Sequence, residues 1–477
     1  MADITALDAT AQLQALETRR ISAVELLDET LRRHAACKSE INAVVATDLE
    51  RARLRAGAID EHRAKGDPPG ALAGLPMTIK DTFDVEGLPA SSGLKALLGR
   101  RAPDAGAVAR AKHAGAVIWG KTNTPVMAGD WQTYNALYGT TNNPWNLERT
   151  TGGSSGGAAA ALAARVTALE IGSDIGGSLR VPAAFCGVFS HKPTWGLVSQ
   201  QGHVPPRPGT VAERDLNVVG PMARSARDLR LLLSVLEEGP LAARAPSAEF
   251  TELKLGLWIE EPGFPLDGQV RDVIETFVAE LTRRGVSVER VRPTDGAALL
   301  KAYRLLLSAV LAQDMQPAAL RGLERMRGVA LLARRLGLAP DWTGAVLART
   351  ATHAEWLAAD EARAKVGREL RGLFGRVTAV IAPITPVTAF PHDHRPMPAR
   401  ALPTADGGKL PYLSMLNWIA LATACGLPAT AVPAGLAADG MPVGVQIIGP
   451  RGGDGRTLAV AQAIEDAVGG FMPPPEG

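Results

Sequence analysis

The spacing of apolar and polar positions changes several times along the chain, and each change marks a different kind of element. An apolar stripe over residues 5–37 predicts two helices, and Ser22-Ala-Val-Glu25 is a capping-box pattern opening the second. A further helix is predicted over 42–65, ended by Gly-Asp-Pro-Pro-Gly at 66–70. From 71 to 235 the texture becomes glycine-rich turns alternating with short apolar runs such as GAVIWG at 115–120, the α/β pattern of strands feeding tight turns. A linker is expected at 237–249. KLGLWIEE at 254–261, an amphipathic run at 270–284 and VSVERV predict strand, helix and strand. Residues 298–375 are rich in Leu, Ala and Arg with few turn signals, and predict helices that cap the core. AVIAPITPV at 379–387 predicts a buried strand, 391–411 a loop rich in Pro and His, 426–450 a strand pair, and 455–468 a last helix. There is no internal repeat.

At 477 residues the chain suffices for a large core. Its formal net charge is only +2 and no basic block occurs, so nucleic acid and anionic membranes are not suggested as partners. Three widely spaced cysteines, Cys37, Cys186 and Cys425, fit neither a disulfide scaffold nor a zinc ribbon. No signal peptide is visible at the start and no run of apolar residues reaches spanning length, so a reducing cytoplasm is the expected compartment.

The stretch TTGGSSGGAAAALAA, 150–164, sets four glycines and two serines against a strong helix former. Glycine there implies unusual backbone angles or a close approach. A phosphate-binding loop would need Gly-Lys-Ser/Thr at its end, where Ala158 and Ala159 stand. A nucleophile elbow fits the letters around Ser154 or Ser155, yet none of the eight histidines stands in a recognisable partner context. On its own, the loop fits a flexible turn capping a buried helix equally well.

Other segments join it. GLPMTIKDTFDVEG at 74–87, KTNTPVMAGDWQTYNALYGTTNNPWN at 121–146, GSDIGGSLRVPAAFCGVFSHKPT at 172–194, VVGPMARSARDL, IAPITPVTAF and MPVGVQIIGP follow in order. Together they resemble the amidase signature family of serine hydrolases over most of the chain. The resemblance implies one domain over 1–477 with a signature core at about 71–235. It implies an α/β/α sandwich around a large central mixed, twisted sheet, with N-terminal helices and the helical region at about 298–375 over the core.

Carried over by position, it makes Ser178 the nucleophile, Ser154 the bridging serine and Lys80 the general base. Ser154 and Ser178 are 24 residues apart, the separation the family pattern requires. It places an oxyanion hole at Ile175, Gly176, Gly177 and Ser178, and a cis bond between Gly153 and Ser154. Asp174 and Arg180 are expected to support the second loop. Met127, Trp131, Tyr134 and Gly153 are candidate substrate-binding positions, and Trp131, Tyr134, Tyr138 and Trp145 form an aromatic cluster in sequence that equally fits ordinary packing.

The chemistry has physical reasons. A serine hydroxyl needs a base within hydrogen-bond reach, and a lysine serves only when burial keeps part of it neutral. The apolar surroundings LPMTIK suit that burial. No metal or cofactor is expected: Cys186 reads as a small core residue, and His392-Asp393-His394 lacks a third ligand in view. Ala158, Ser190 and His191 depart from the commoner family residues without touching the relay. The resemblance implies hydrolysis of the C–N bond of a small-molecule amide, weakly tilted toward aryl or bulky apolar amides, by a monomer or homodimer. Carbamate or ester cleavage by the same triad is the variant. The amidotransferase subunit that works on mis-acylated tRNA is disfavoured because WGLVSQQGHVPPRPG replaces its usual Y-G-R-V-S-R, and a non-catalytic binding protein because both serines and the lysine are intact.

Overall fold

The computed structural model describes residues 3–67, 69–239 and 249–475, so the linker expected at 237–249 lies largely outside the described residues. Its centre is an eleven-stranded mixed sheet. In chain order its strands are β1 (Val44–Thr47), β2 (Pro76–Lys80), β3 (Val117–Thr122), β4 (Leu169–Asp174), β5 (Phe189–Lys192) and β6 (Val218–Ala223), followed by β7 (Lys254–Leu257), β8 (Ser287–Arg290), β9 (Ala379–Pro383), β10 (Ala429–Leu436) and β11 (Pro442–Ile448). The spatial order is β1-β3-β2-β4-β6-β5-β10-β11-β9-β7-β8. β2 runs parallel to both β3 and β4, the neighbours from β4 across to β9 in that order are antiparallel, and β7 is parallel to both β9 and β8.

Both faces of this sheet are covered across its centre, and for that reason β9 reads as an unbroken apolar run and β11 is buried throughout, whereas edge strand β8 is largely exposed. In β9, Ala379 and Ile381 join one hydrophobic core and Val380 and Ala382 the other; Ile447 and Ile448 of β11 divide the same way. The first core takes the N-terminal helices Ala9–Glu17 and Ala23–Ile41 with the helices Ala226–Leu236 and Asp454–Val468. The second takes Gly296–Ala312 and His353–Phe374. The expected two-faced architecture is therefore present.

Two expectations change in detail. Residues 42–65 are not one helix: Asn42 is left-handed at φ 51°, ending the preceding helix, and Val44–Thr47 forms edge strand β1 before Asp48 caps the helix Leu49–Lys65. The Pro- and His-rich loop at 391–411 contains a short hairpin, Ala401–Pro403 against Lys409–Pro411. The region 298–375 is helical as expected, in four helices: Gly296–Ala312, Pro317–Arg335, Pro340–Arg349 and His353–Phe374. Among the described residues, no helix is long and apolar enough to cross a membrane.

The glycines at the start of the alanine helix Gly156–Ala163 owe their identity to close approach. Every residue of that helix is buried, wedged between the sheet and the helix Arg180–Cys186. A Cβ on Gly157 would lie 2.4 Å from the Asn123 nitrogen and 2.6 Å from its carbonyl oxygen, both backbone atoms unable to give way. Gly157→Ala is therefore expected to lower stability by about 3 kcal/mol. Gly322→Ala, inside Pro317–Arg335 with open space around it, is expected to raise stability by about 0.5–1 kcal/mol. Urea unfolding of the two variants beside the parent chain checks the contrast.

Candidate active site

Strands β2 and β4 lie side by side and parallel, so their carboxyl ends present Lys80 and Asp174 on the same edge of the sheet. Open α/β sheets gather ligands at such an edge. The loop before Gly156–Ala163 brings Ser154 to Lys80: Nζ stands 2.7 Å from Ser154 Oγ and 3.0 Å from Ser173 Oγ. The bond between Gly153 and Ser154 is cis. Thr124 Oγ1 donates to the Ser154 carbonyl at 2.9 Å, and the Ser155 N–H donates to the Ser178 carbonyl at 3.2 Å, tying the two serine loops together. Exposure is graded along the row: Lys80 0 %, Ser154 1 %, Ser178 6 %. Ser155 is fully buried with its hydroxyl facing the Ser173 carbonyl.

Burial dominates the electrostatics of Lys80. Loss of water pulls its pKa down to about 7, against the pull of Asp174 and Glu170, whose charges favour the ammonium. Glu170 is itself pushed up to about 8 by burial, so part of its opposing charge is removed near neutrality.

The turn after β4 is held by a buried ion pair. Arg180 donates to Asp174 through Nε and Nη2, both at 3.0 Å, and also bonds the Ile419 carbonyl, Gln446 and Thr423. Burial alone would raise the Asp174 carboxyl, but Arg180 and the turn's N–H groups bring it below the usual range. Asp174 accepts from the Gly177 N–H at 2.9 Å and the Leu179 N–H at 3.2 Å. The Gly177 N–H, one of the expected oxyanion donors, is thus engaged by the Asp174 carboxylate.

Two side chains fix the remainder of the turn. Tyr303 Oη donates to the Ile175 carbonyl at 2.9 Å, and Trp131 Nε1 to the Gly176 carbonyl at 2.7 Å. In a trans peptide the C=O and the next N–H point opposite ways. Tyr303 thus turns the Gly176 N–H away from itself, as Trp131 turns the Gly177 N–H toward Asp174. Ile175, Gly176 and Ser178 are left as the candidate N–H donors. The sequence held no local signal for Tyr303, which comes from the helical region, nor for Ser173 and His203, whose side chains meet 2.9 Å apart beside Lys80.

The aromatic cluster read from sequence assembles only in part, with Trp131 and Tyr134 joined through Tyr412 and Arg400 and the other two apart. Trp131 packs on Tyr412, Tyr134 stacks on His394 and accepts from Arg400 at 2.6 Å, and Trp145 donates to the Cys186 carbonyl. Tyr138 is half-buried in another environment. Met127 has a left-handed backbone, φ 51°, with its N–H on the Ser92 carbonyl. At Gly153 a Cβ would meet the Asp130 carbonyl at 2.4 Å, so the segment carrying Trp131 lies directly on the serine loop. Cys186 is buried, which pushes its thiol up. His191 bridges Thr430 and Asp454, locking the last helix to the sheet.

Two hydroxyl-bearing loops, a desolvated amine and a glycine-rich turn that presents backbone N–H groups suit acyl transfer through serine. The Amidase family model matches residues 25–458. The chain belongs to the amidase signature family, as the sequence resemblance implied, and is an enzyme of that class. It is 35% identical to a glutamyl-tRNA(Gln) amidotransferase subunit of Salinispora tropica, covering 99% of this chain and 100% of that relative. Among solved structures it is similar to an amidase at 30% identity and TM-score 0.79, over 96% of this chain and 99% of the other. It is also similar to a bacterial aryl acylamidase of the amidase signature family at 26% identity and TM-score 0.79, over 97% and 96%.

Replacing Arg180 by Met would leave Asp174 charged, buried and unpaired. Arg180→Met is expected to lower stability by about 3–5 kcal/mol, read as a fall in the midpoint of urea unfolding.

Proposed function

We propose that this chain hydrolyses the C–N bond of small-molecule carboxamides through an acyl-enzyme on Ser178. The observation that carries the reading is the 2.7 Å contact between a fully buried Lys80 amine and the Ser154 hydroxyl. Neutral Lys80 accepts the Ser154 proton as Ser154 accepts that of Ser178, whose oxygen bonds to the substrate carbonyl carbon. The oxyanion is stabilised by the N–H groups of Ile175, Gly176 and Ser178; one such donor contributes roughly 3–4 kcal/mol in the transition state. As the intermediate collapses, the C–N bond breaks and the proton returns along the relay to the leaving nitrogen. Water, deprotonated by the same relay, then attacks the ester, and Ser178 leaves with a proton while the acid departs. Asp174 and Arg180 support the turn. The greater exposure of Ser178 suits it, and not Ser154, to meet the substrate.

The likeness to the aryl acylamidase supports an aryl amide, although the engaged Trp131, Tyr134 and Trp145 give less reason for an aromatic pocket than the sequence did. Carbamates and esters share the acyl-enzyme and remain the variant substrates.

A second reading has a specific observation behind it: the glutamyl-tRNA(Gln) amidotransferase relative matches from end to end at 35% identity. On that reading the chain works as one subunit of an assembly, and alone it turns over none of a panel of aliphatic amides, anilides, amino-acid amides and carbamates. Hydrolysis of any one of these by the isolated chain, without added subunits, favours the first reading.

A fluorophosphonate followed by peptide mass spectrometry is expected to label Ser178 and to fail in Ser178→Ala; a label on Ser155 rejects the assignment. Because the lysine's pKa lies near 7, the ammonium predominates below that pH and blocks the relay. The rate of acylation is therefore expected to climb through pH 7 and level above it, and Lys80→Ala to remove most of it. A flat profile with chemistry rate-limiting contradicts the base.

A further inference from the structure

Behind Lys80 runs a second file of buried groups that the reaction as written does not use. Lys80 Nζ lies 3.0 Å from Ser173 Oγ, which lies 2.9 Å from Nε2 of His203. The other ring nitrogen, Nδ1, is 2.6 Å from the carbonyl oxygen of Pro205. A carbonyl only accepts, so Nδ1 carries a proton. Burial, and after it the nearby Lys80, pulls the ring's pKa down to about 3, so the imidazole is neutral and Nε2 presents a lone pair. Ser173 has one hydroxyl proton, and it points at His203.

The ring is locked in place. His203 is almost fully buried and packs edge-on against Phe83, ring centroids 4.9 Å apart. On either side of it the backbone is zipped to the segment just after Lys80: the Val204 N–H donates to the Thr82 carbonyl at 2.7 Å and the Asp84 N–H to the Gly202 carbonyl at 2.9 Å.

We propose that His203 is a positioning residue that fixes the polarity of this file: by accepting the hydrogen bond of the Ser173 hydroxyl it leaves Ser173 able only to accept from Lys80. A neutral amine has two N–H donors and one lone pair. With Ser173 acting as acceptor, one N–H is anchored and the lone pair is reserved for the Ser154 hydroxyl on the other side. Without His203, the Ser173 hydroxyl is free to rotate and donate into that lone pair, in competition with Ser154. The inference rests on Lys80 being the base. The charged and titratable groups facing Lys80 are Glu170 and Asp174 from β4, which favour the ammonium, and His203 from the loop at 202–206.

The test is the rate of fluorophosphonate labelling of Ser178 from about pH 5 to 10, which needs no knowledge of the natural substrate. His203→Asn keeps an amide donor for the Pro205 carbonyl but is too short to accept from Ser173, whereas His203→Gln carries an acceptor out to the position of Nε2. His203→Asn is expected to slow labelling about tenfold, as the loss of one productive hydrogen bond implies. It is also expected to move the midpoint of the pH profile downward, because a donating Ser173 favours the neutral amine. His203→Gln is expected to recover most of the rate. Ser173→Ala, which removes the anchor, is expected to slow labelling and lower the midpoint as well, and adding His203→Asn to it changes nothing more.

The inference is overturned if His203→Asn labels at the parent rate, if it slows with an unmoved midpoint, if Gln does no better than Asn, or if Asn still costs rate in the Ser173→Ala background. Should His203→Asn fail to give a cooperative thermal melt, Ser173→Ala decides alone: parent rate and midpoint there also overturn it. Lys80→Ala run in parallel separates the two levels. Its labelling at the parent rate removes the proposed base itself, while an inert Lys80→Ala beside an unaffected His203→Asn removes only the role of His203.

Discussion

One hydrogen bond organises this molecule: that between the Lys80 amine and the Ser154 hydroxyl, made where water is excluded. An ammonium is costly to bury, and the protein meets that cost by shifting the group toward its neutral form. The same desolvation that would weaken an ordinary core gives this site a free amine near neutral pH. The opposing charges of Asp174 and Glu170 limit how far the shift goes. Asp174 is largely neutralised by Arg180, and Glu170 by its own burial.

The rest of the architecture keeps that bond dry and aligned. The parallel pair β2 and β4 sets Lys80 and the Ser178 turn on one edge, and the all-buried alanine helix sets the Ser154 loop against Asn123 with no room for a side chain. The turn after β4 is held from three directions: Asp174 with Arg180 from below, Trp131 from the segment that lies on Gly153, and Tyr303 from the helical region. The helices at 296–374 therefore do more than cover the second core, since one of them reaches the turn that carries Ser178.

What could be read from the sequence was what is encoded locally. The capping box at Ser22, the uninterrupted apolar strands and the strand pair near the C-terminus were visible because turn chemistry and burial on both faces leave marks within a few residues. The segments that bring Lys80 and Ser154 together were visible through motifs whose glycines are fixed by backbone close approach. Tyr303 was not, because its partner carbonyl lies 128 positions away and a tyrosine inside a Leu- and Ala-rich helix looks like core. Ser173 and His203 were passed over for the same reason: their roles arise from donor and acceptor directions, which sequence spacing does not carry. The aromatic cluster differs in the opposite sense: Trp131 and Tyr134 meet around Tyr412 and Arg400, but Tyr138 and Trp145, close to them in sequence, go to other environments. The edge strand at Val44–Thr47 was missed although Asn42 and Asp48, a helix stop and a helix start, bracket it.

The most direct measurement is the titration of Lys80 itself, by NMR of side-chain-labelled lysine, with the resonance assigned by its loss in Lys80→Ala because Lys121 and Lys192 are also buried. The account requires a midpoint near 7, where burial places this amine. A midpoint at the ordinary lysine value of about 10.4 would mean an amine that stays charged through the working range, and the proton path through Ser154 would have no base to start it.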